Sequence, residues 1–280
     1  MAKLTILVTG STDGIGRQTA LDCARLGLRV LVHARSPERG RPVLEDLARA
    51  SGSRDLELVV GDLASLAGVR SLAREVAERV DHLDVLVNNA AVFMKERVLT
   101  VDGFETTFAV NHLAPFLLTG LLTPLLEAAP AARVVNVASL AHEGAPLDFD
   151  NLQGERRYDG CSAYALSKLA NVLFTLELAE RFRSAGITAN CLHPGVVTTK
   201  LLTQGFGFTG IPVERGSRTV THLALSEAMR GRTGGYYVDC RLAAGAAIAR
   251  QCGVRGRFWA HTEQLAGPFA TCGRSAPPAR

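Results

Sequence analysis

The feature that most restricts this chain is a regular alternation of short β-branched runs with longer amphipathic stretches. Strand-like runs occur at residues 4–9 (LTILVT), 29–34 (RVLVHA), 56–61 (LELVVG), 83–88 (LDVLVN), 133–138 (RVVNVA), 187–192 (ITANCL) and 236–239 (YYVD). Most are nearly unbroken hydrophobes, the pattern of strands covered on both faces. Between them, helical periodicity is read near 15–27, 37–50, 65–80, 104–128, 163–185 and 214–228. Strands that alternate with helices predict an α/β fold with a parallel sheet of about seven strands and helices on both faces. Right-handed crossovers make it doubly wound, of Rossmann type, with ligands at the carboxyl ends of the strands. No linker or repeat breaks residues 1–240, which read as a single catalytic domain; residues 241–280 read as a C-terminal helix followed by a flexible tail.

Composition removes several functions. The net charge is +4 over 280 residues and the arginines are scattered, so no basic run exists to track a phosphate backbone, and nucleic acid is not an expected partner. Six cysteines without a C-x-x-C pair, and an N-terminus that runs straight into a strand, predict free thiols in a reducing, cytoplasmic setting with no membrane anchor. The most apolar stretch, LAPFLLTGLLTPLL at 113–126, is shorter than a membrane span and predicts a buried or interface helix. Seven dispersed histidines offer no metal-ligand spacing, so no metal is expected.

After the first strand comes TGSTDGIGRQTA, with Gly10, Gly14 and Gly16 spaced G-x-x-x-G-x-G. Glycines allow a tight turn and close backbone approach, and the helix that follows offers free N–H groups to a pyrophosphate. The second strand ends in VHARSPERG, where Arg35 stands and no carboxylate precedes Glu38. An acidic residue there would suit the 2′-hydroxyl of NAD(H), whereas an arginine suits a 2′-phosphate, so NADP(H) is favoured over NAD(H). Asp13 inside the loop is a counter-signal, since a carboxylate there would repel phosphate.

The stretch SAYALSKLAN puts Tyr164 and Lys168 one turn apart on a helical segment. Four tyrosines in 280 residues, and as many lysines, yield such a pair by chance in roughly one chain in eighteen, so the context decides. An ammonium beside a phenol favours the phenolate and brings it towards the working pH of a general acid–base. Ser139, at the carboxyl end of the fifth strand-like run, is placed to donate a hydrogen bond to a carbonyl oxygen that gains charge.

Taken in order, TGSTDGIG, the Asp62-Leu63 pair of GDLASLAGVR, NNAA at 88–91, Asn111 in AVNHLAPFLLT, Ser139, Tyr164-x-x-x-Lys168 and HPGVVTT at 193–199 resemble the short-chain dehydrogenase/reductase family over nearly the whole chain. The resemblance implies that Tyr164 is the acid/base, that Lys168 holds the nicotinamide ribose and lowers the tyrosine pKa, and that Ser139 orients the substrate oxygen. It also implies that Asn111 supports a water in the proton relay. Cofactor contacts are expected from Gly10, Ser11, Thr12, Asp13, Gly14, Ile15 and Gly16, from Arg35, and from Asp62 and Leu63 beside the adenine. They are also expected from Asn88 and Ala90 in the cleft, from Tyr164 and Lys168, and from Pro194, Gly195, Val197 and Thr199 over the nicotinamide. Ala91 stands where the family usually has glycine, which adds a methyl behind the cofactor.

Within the family, the long Ser-to-Tyr interval, TANCLHPGVVTTKL and GGYYVDC are similar to the retinol dehydrogenase branch. That similarity implies NADP(H) and a bulky apolar alcohol interconverted with its ketone or aldehyde. The segment LLTQGFGFTGIPVE, with Phe206, Phe208 and Ile211 among glycines, reads as an apolar lid over the substrate. Two other functions stay open: a non-catalytic dinucleotide sensor, and a sugar-nucleotide epimerase, for which the residues after 240 are few. A homodimer paired through the helices at 104–128 and 163–185 is a further expectation.

Overall fold

A computed structural model of the protein describes residues 3–269. The elements follow the order β1 (Thr5–Val8), α1 (Gly14–Arg25), β2 (Arg29–Ala34), α2 (Pro37–Ser51), β3 (Leu56–Val60), α3 (Leu66–Arg79) and β4 (Val85–Asn88). A long rod comes next, built from α4 (Thr106–Phe108), a π turn (Ala109–Leu113) and α5 (Ala114–Ala128). The chain continues through β5 (Arg133–Val137), α6 (Gly160–Arg181), β6 (Thr188–His193), α7 (Val213–Leu225), β7 (Tyr236–Val238), β8 (Arg241–Ala243) and α8 (Cys252–Ala266).

The eight strands form one sheet in the order β3-β2-β1-β4-β5-β6-β7-β8. The first seven pair in parallel, and only β7–β8 is antiparallel. The doubly wound α/β fold is therefore present, with one strand more than the sequence reading counted. β8 was missed because it is three residues long and mostly exposed, so it carries no apolar alternation. Its hairpin turns through Asp239 and Cys240, both with positive φ. Two residues of positive φ are what a tight hairpin needs, though glycine or asparagine usually fills them.

Each face of the sheet has its own core. On one side α1, α2 and α7 cover Ile6, Val8, Val30 and Val32; on the other α3, α5, α6 and α8 cover Leu7, Leu31, Leu86 and Val134. Neighbouring residues of β1 and β2 thus point to opposite cores, which explains their unbroken hydrophobicity.

The apolar rod Thr106–Ala128 is long enough to cross a membrane, but 83% of its most apolar window is buried, and it is a core helix of this fold. Parts of α5 and α6 pack against α8 and the residues after it. Trp259 of α8 and Phe269 pack edge-on against Phe116 of α5, and Phe174 of α6 lies against both. Residues 241–269 are thus a strand, a helix and part of the core, and the tail expected beyond them lies outside the described residues.

Candidate active site

The strand order reverses between β1 and β4, because β1 continues to β2 on one side while β4 continues to β5 on the other. Ligands of such sheets bind in the crevice at that point. A cleft of about 610 Å³ opens there, running from the glycine turn past Ser139, Tyr164 and Lys168 to Leu202, Phe206 and Phe208.

The glycine turn owes its residues to crowding. Gly10 has φ 67°, and a Cβ on it would lie 2.9 Å from Ala90 Cα; a Cβ on Gly16 would lie 2.3 Å from Gly10 O and Asn89 Nδ2. Asp13 caps α1, accepting the Gly14 N–H at 2.9 Å, and pairs with Lys200 Nζ at 3.0 Å. The lysine thereby offsets the carboxylate that argued against a phosphate. Gly10, Ser11 and Gly14 spend their N–H groups inside the protein, whereas those of Thr12, Asp13, Ile15 and Gly16 find no acceptor among the described residues. Free N–H groups at a helix start, with no side chain in the way, fit a pyrophosphate.

Thr12, Asp13, Gly14, Ile15, Arg35, Asp62, Leu63, Ala90, Pro194, Gly195, Val197 and Thr199 all line the cleft. Three expected residues do not. Ser11 is fully buried, its hydroxyl donating to Val8 O and accepting the His33 N–H, and Gly16 is buried where α1 meets the turn. Asn88 is also buried: its Nδ2 donates to Asn136 Oδ1 at 2.8 Å and Thr119 Oγ1 at 3.1 Å. Asn136 passes the link on to Thr175, so Asn88 ties β4 to β5, α5 and α6, and Asn89 is the asparagine that faces the cleft. Strand alternation turns consecutive asparagines to opposite sides.

Asn111 is likewise buried within the π turn. Its Oδ1 accepts the Val92 N–H at 2.8 Å, and its Nδ2 donates to Val92 O and Ser167 Oγ, each at 3.0 Å. Both hydrogens of the side-chain amide are thus used within the protein. Four residues on stands Pro115, which has no N–H, so the Asn111 carbonyl lacks its usual helical donor.

Ser139 caps a short 3-10 turn, its hydroxyl accepting the Ala141 N–H at 3.3 Å, and it also contacts the Tyr164 hydroxyl. Lys168 Nζ donates to Val137 O at 3.0 Å and stands 5.4 Å from the Tyr164 ring centroid. Pair and serine therefore converge. Burial drives both titrations towards the neutral forms: the Tyr164 phenol is pushed up to about 12, opposed by its hydrogen bond with Ser139, and the Lys168 ammonium is pushed down to about 8.

The sequence reading missed several participants. Arg39, in the first turn of α2, lines the cleft together with Arg35, which stands just ahead of that helix. Phe93 packs on Phe206 at 4.4 Å and on Tyr164 at 6.0 Å between centroids. His142 accepts the Ala246 N–H at 3.0 Å and so donates from Nδ1 to Ser139 O at 2.6 Å, clamping the serine from behind. Nothing in the spacing pointed to Phe93 or His142.

A doubly wound sheet with a glycine turn at its reversal point defines a dinucleotide-binding protein. Comparison with known proteins carries this further. The family model for short chain dehydrogenase matches residues 4–206. Human retinol dehydrogenase 11 is 38% identical over 263 residues, spanning 91% of this chain and 83% of its own length. Human retinol dehydrogenase 13 is 36% identical, spanning 98% and 87%. Among solved structures, an uncharacterized protein from Mycobacterium paratuberculosis superposes with TM-score 0.79 at 32% identity, covering 95% of this chain and 94% of that one. The NADP complex of RhlG from Pseudomonas aeruginosa gives 0.69 at 26% identity, covering 84% and 94%. The chain belongs to the short-chain dehydrogenase/reductase family, in its retinol dehydrogenase-like branch. It is an oxidoreductase of the nicotinamide dinucleotide class acting on a small molecule.

Proposed function

We propose that the protein is an NADP(H)-dependent enzyme that interconverts a bulky apolar alcohol and its ketone or aldehyde in the cytoplasm. The observation that carries this reading is the convergence of Ser139, Tyr164 and Lys168 in a cleft that begins at a glycine turn and ends at aromatic residues. NADP(H) over NAD(H) is supported by Arg35 and Arg39 in the cleft wall beyond β2 and by the neutralisation of Asp13 by Lys200. The apolar substrate is supported by Phe206 and Phe208 at the far end of the cleft.

When bound, the nicotinamide gives or takes the hydride and, oxidised, adds a positive charge. In the reductive direction Tyr164 gives its hydroxyl proton to the substrate oxygen, and Ser139 donates a hydrogen bond to the same oxygen. Lys168, held by Val137 O, stabilises the resulting phenolate. The Asn111 carbonyl accepts from a water that returns a proton towards Lys168. In the oxidative direction each step reverses.

Substituting Tyr164→Phe removes the transferable proton and leaves the ring. NADPH oxidation with a bulky ketone should fall by about a thousandfold, within the range of general acid catalysis, while NADPH still binds. Retention of full activity overturns the mechanism.

A further inference from the structure

His33 is an unusual residue to find inside a parallel strand. It belongs to β2, is 3% exposed, and its ring lies in the floor of the cleft. The Gly10 N–H donates to its Nδ1 at 2.9 Å, so the proton sits on Nε2, which donates to Gly61 O at 2.9 Å. Its backbone works alongside: its N–H donates to Ser11 Oγ and its carbonyl accepts the Ser11 N–H at 3.1 Å. One residue thus ties the turn after β1 to the turn after β3, and the adenine-side residues Asp62 and Leu63 follow directly on Gly61.

We propose that His33 is a positioning residue for the cofactor, its neutral imidazole fixing the glycine turn so that the remaining N–H groups of that turn converge on the pyrophosphate. Only the Nε2–H tautomer can accept from one turn and donate to the other. Burial lowers its pKa and keeps it neutral, against the pull of Asp62 beyond β3 and Glu75 of α3. Arginines 35 and 39 share the cleft wall. With Gly10 and Ser11 occupied by His33, the donors of the turn without an acceptor among the described residues are Thr12, Asp13, Ile15 and Gly16, and of these Thr12, Asp13 and Ile15 line the cleft. The imidazole therefore sorts which amides of the turn serve the fold and which serve the ligand.

The inference rests on the functional reading above, and NADPH titration separates the two. His33→Ala should weaken NADPH binding by about tenfold, the worth of one or two neutral hydrogen bonds. The KM for NADPH should rise with it, and kcat at saturating NADPH should change far less. His33→Gln, which can accept and donate at once, should recover most of the affinity. In the wild-type chain, imidazole ¹⁵N shifts should report the Nε2–H tautomer, a readout that needs no variant to fold. Normal wild-type binding with an unaffected His33→Ala, a loss confined to kcat, or an Nδ1–H tautomer each overturns the proposal. A wild-type chain that binds no NADPH overturns the functional reading and this one with it.

Discussion

Arg35 and Arg39 are exposed at the cleft rim, so the cost to the fold of replacing them is small. A guanidinium that meets a 2′-phosphate makes a charge-assisted pair worth about 1.5–3 kcal/mol. The double substitution Arg35→Ala, Arg39→Ala should therefore raise the KM for NADPH by about ten- to a hundredfold and leave that for NADH nearly unchanged. Steady-state kinetics with both cofactors checks this. Residue chemistry of this kind was legible early: Tyr164, Lys168, Ser139 and Arg35 are all found in one cleft. What sequence could not supply was orientation. Asn88 and Asn89 are the same residue twice, and only the sheet decides that the first is structural and the second faces the cleft. His33 sits in an apolar run and reads as one more strand residue until Gly10 and Gly61 are brought to its two nitrogens.

At the scale of elements, the seven parallel strands were legible because burial on both faces imposes hydrophobicity on every residue. The two π turns were not, because a single widened turn leaves the amphipathic period intact. One, Ala109–Leu113, interrupts the rod ahead of Pro115. The other, Leu201–Phe206, lies in the segment proposed as a lid and brings Phe206 to 5.5 Å from the Tyr164 ring. The lid is tied down by Ile211, whose N–H donates to Val196 O at 2.7 Å and whose carbonyl accepts the Thr198 N–H at 2.8 Å. Phe206→Ala removes its contacts with both Phe93 and Tyr164. Aromatic pairs contribute about 0.5–1.5 kcal/mol each, so KM for a bulky apolar substrate should rise about tenfold with NADPH affinity unaltered. Equal KM values for wild type and variant would remove the lid from the substrate site.

The whole molecule carries a pH signature set by its buried imidazoles. His112 lies among Phe108, Phe116, Phe174 and Phe258, with Nε2 3.0 Å from Thr262 Oγ1, and burial pushes its pKa down to about 3. The folded chain keeps this ring neutral while the unfolded chain takes up a proton below about pH 6.5. Stability should therefore be full above that pH and fall as pH drops from 6.5 towards 3, by roughly 2 kcal/mol between pH 6.5 and 5 from this group. His33, shifted in the same direction, adds to the slope. Urea unfolding at the two pH values should show the loss, and His112→Gln should shrink the difference; an unchanged difference assigns the slope to other groups.

The covering of α5 and α6 by α8 also sets a timetable for synthesis. Around α1, α2 and α7, every covering helix has been translated by Leu225. The opposite face needs Phe258, Trp259 and Phe269, which are translated later. A nascent chain must therefore hold one face of its sheet half clad until residue 269 has been made.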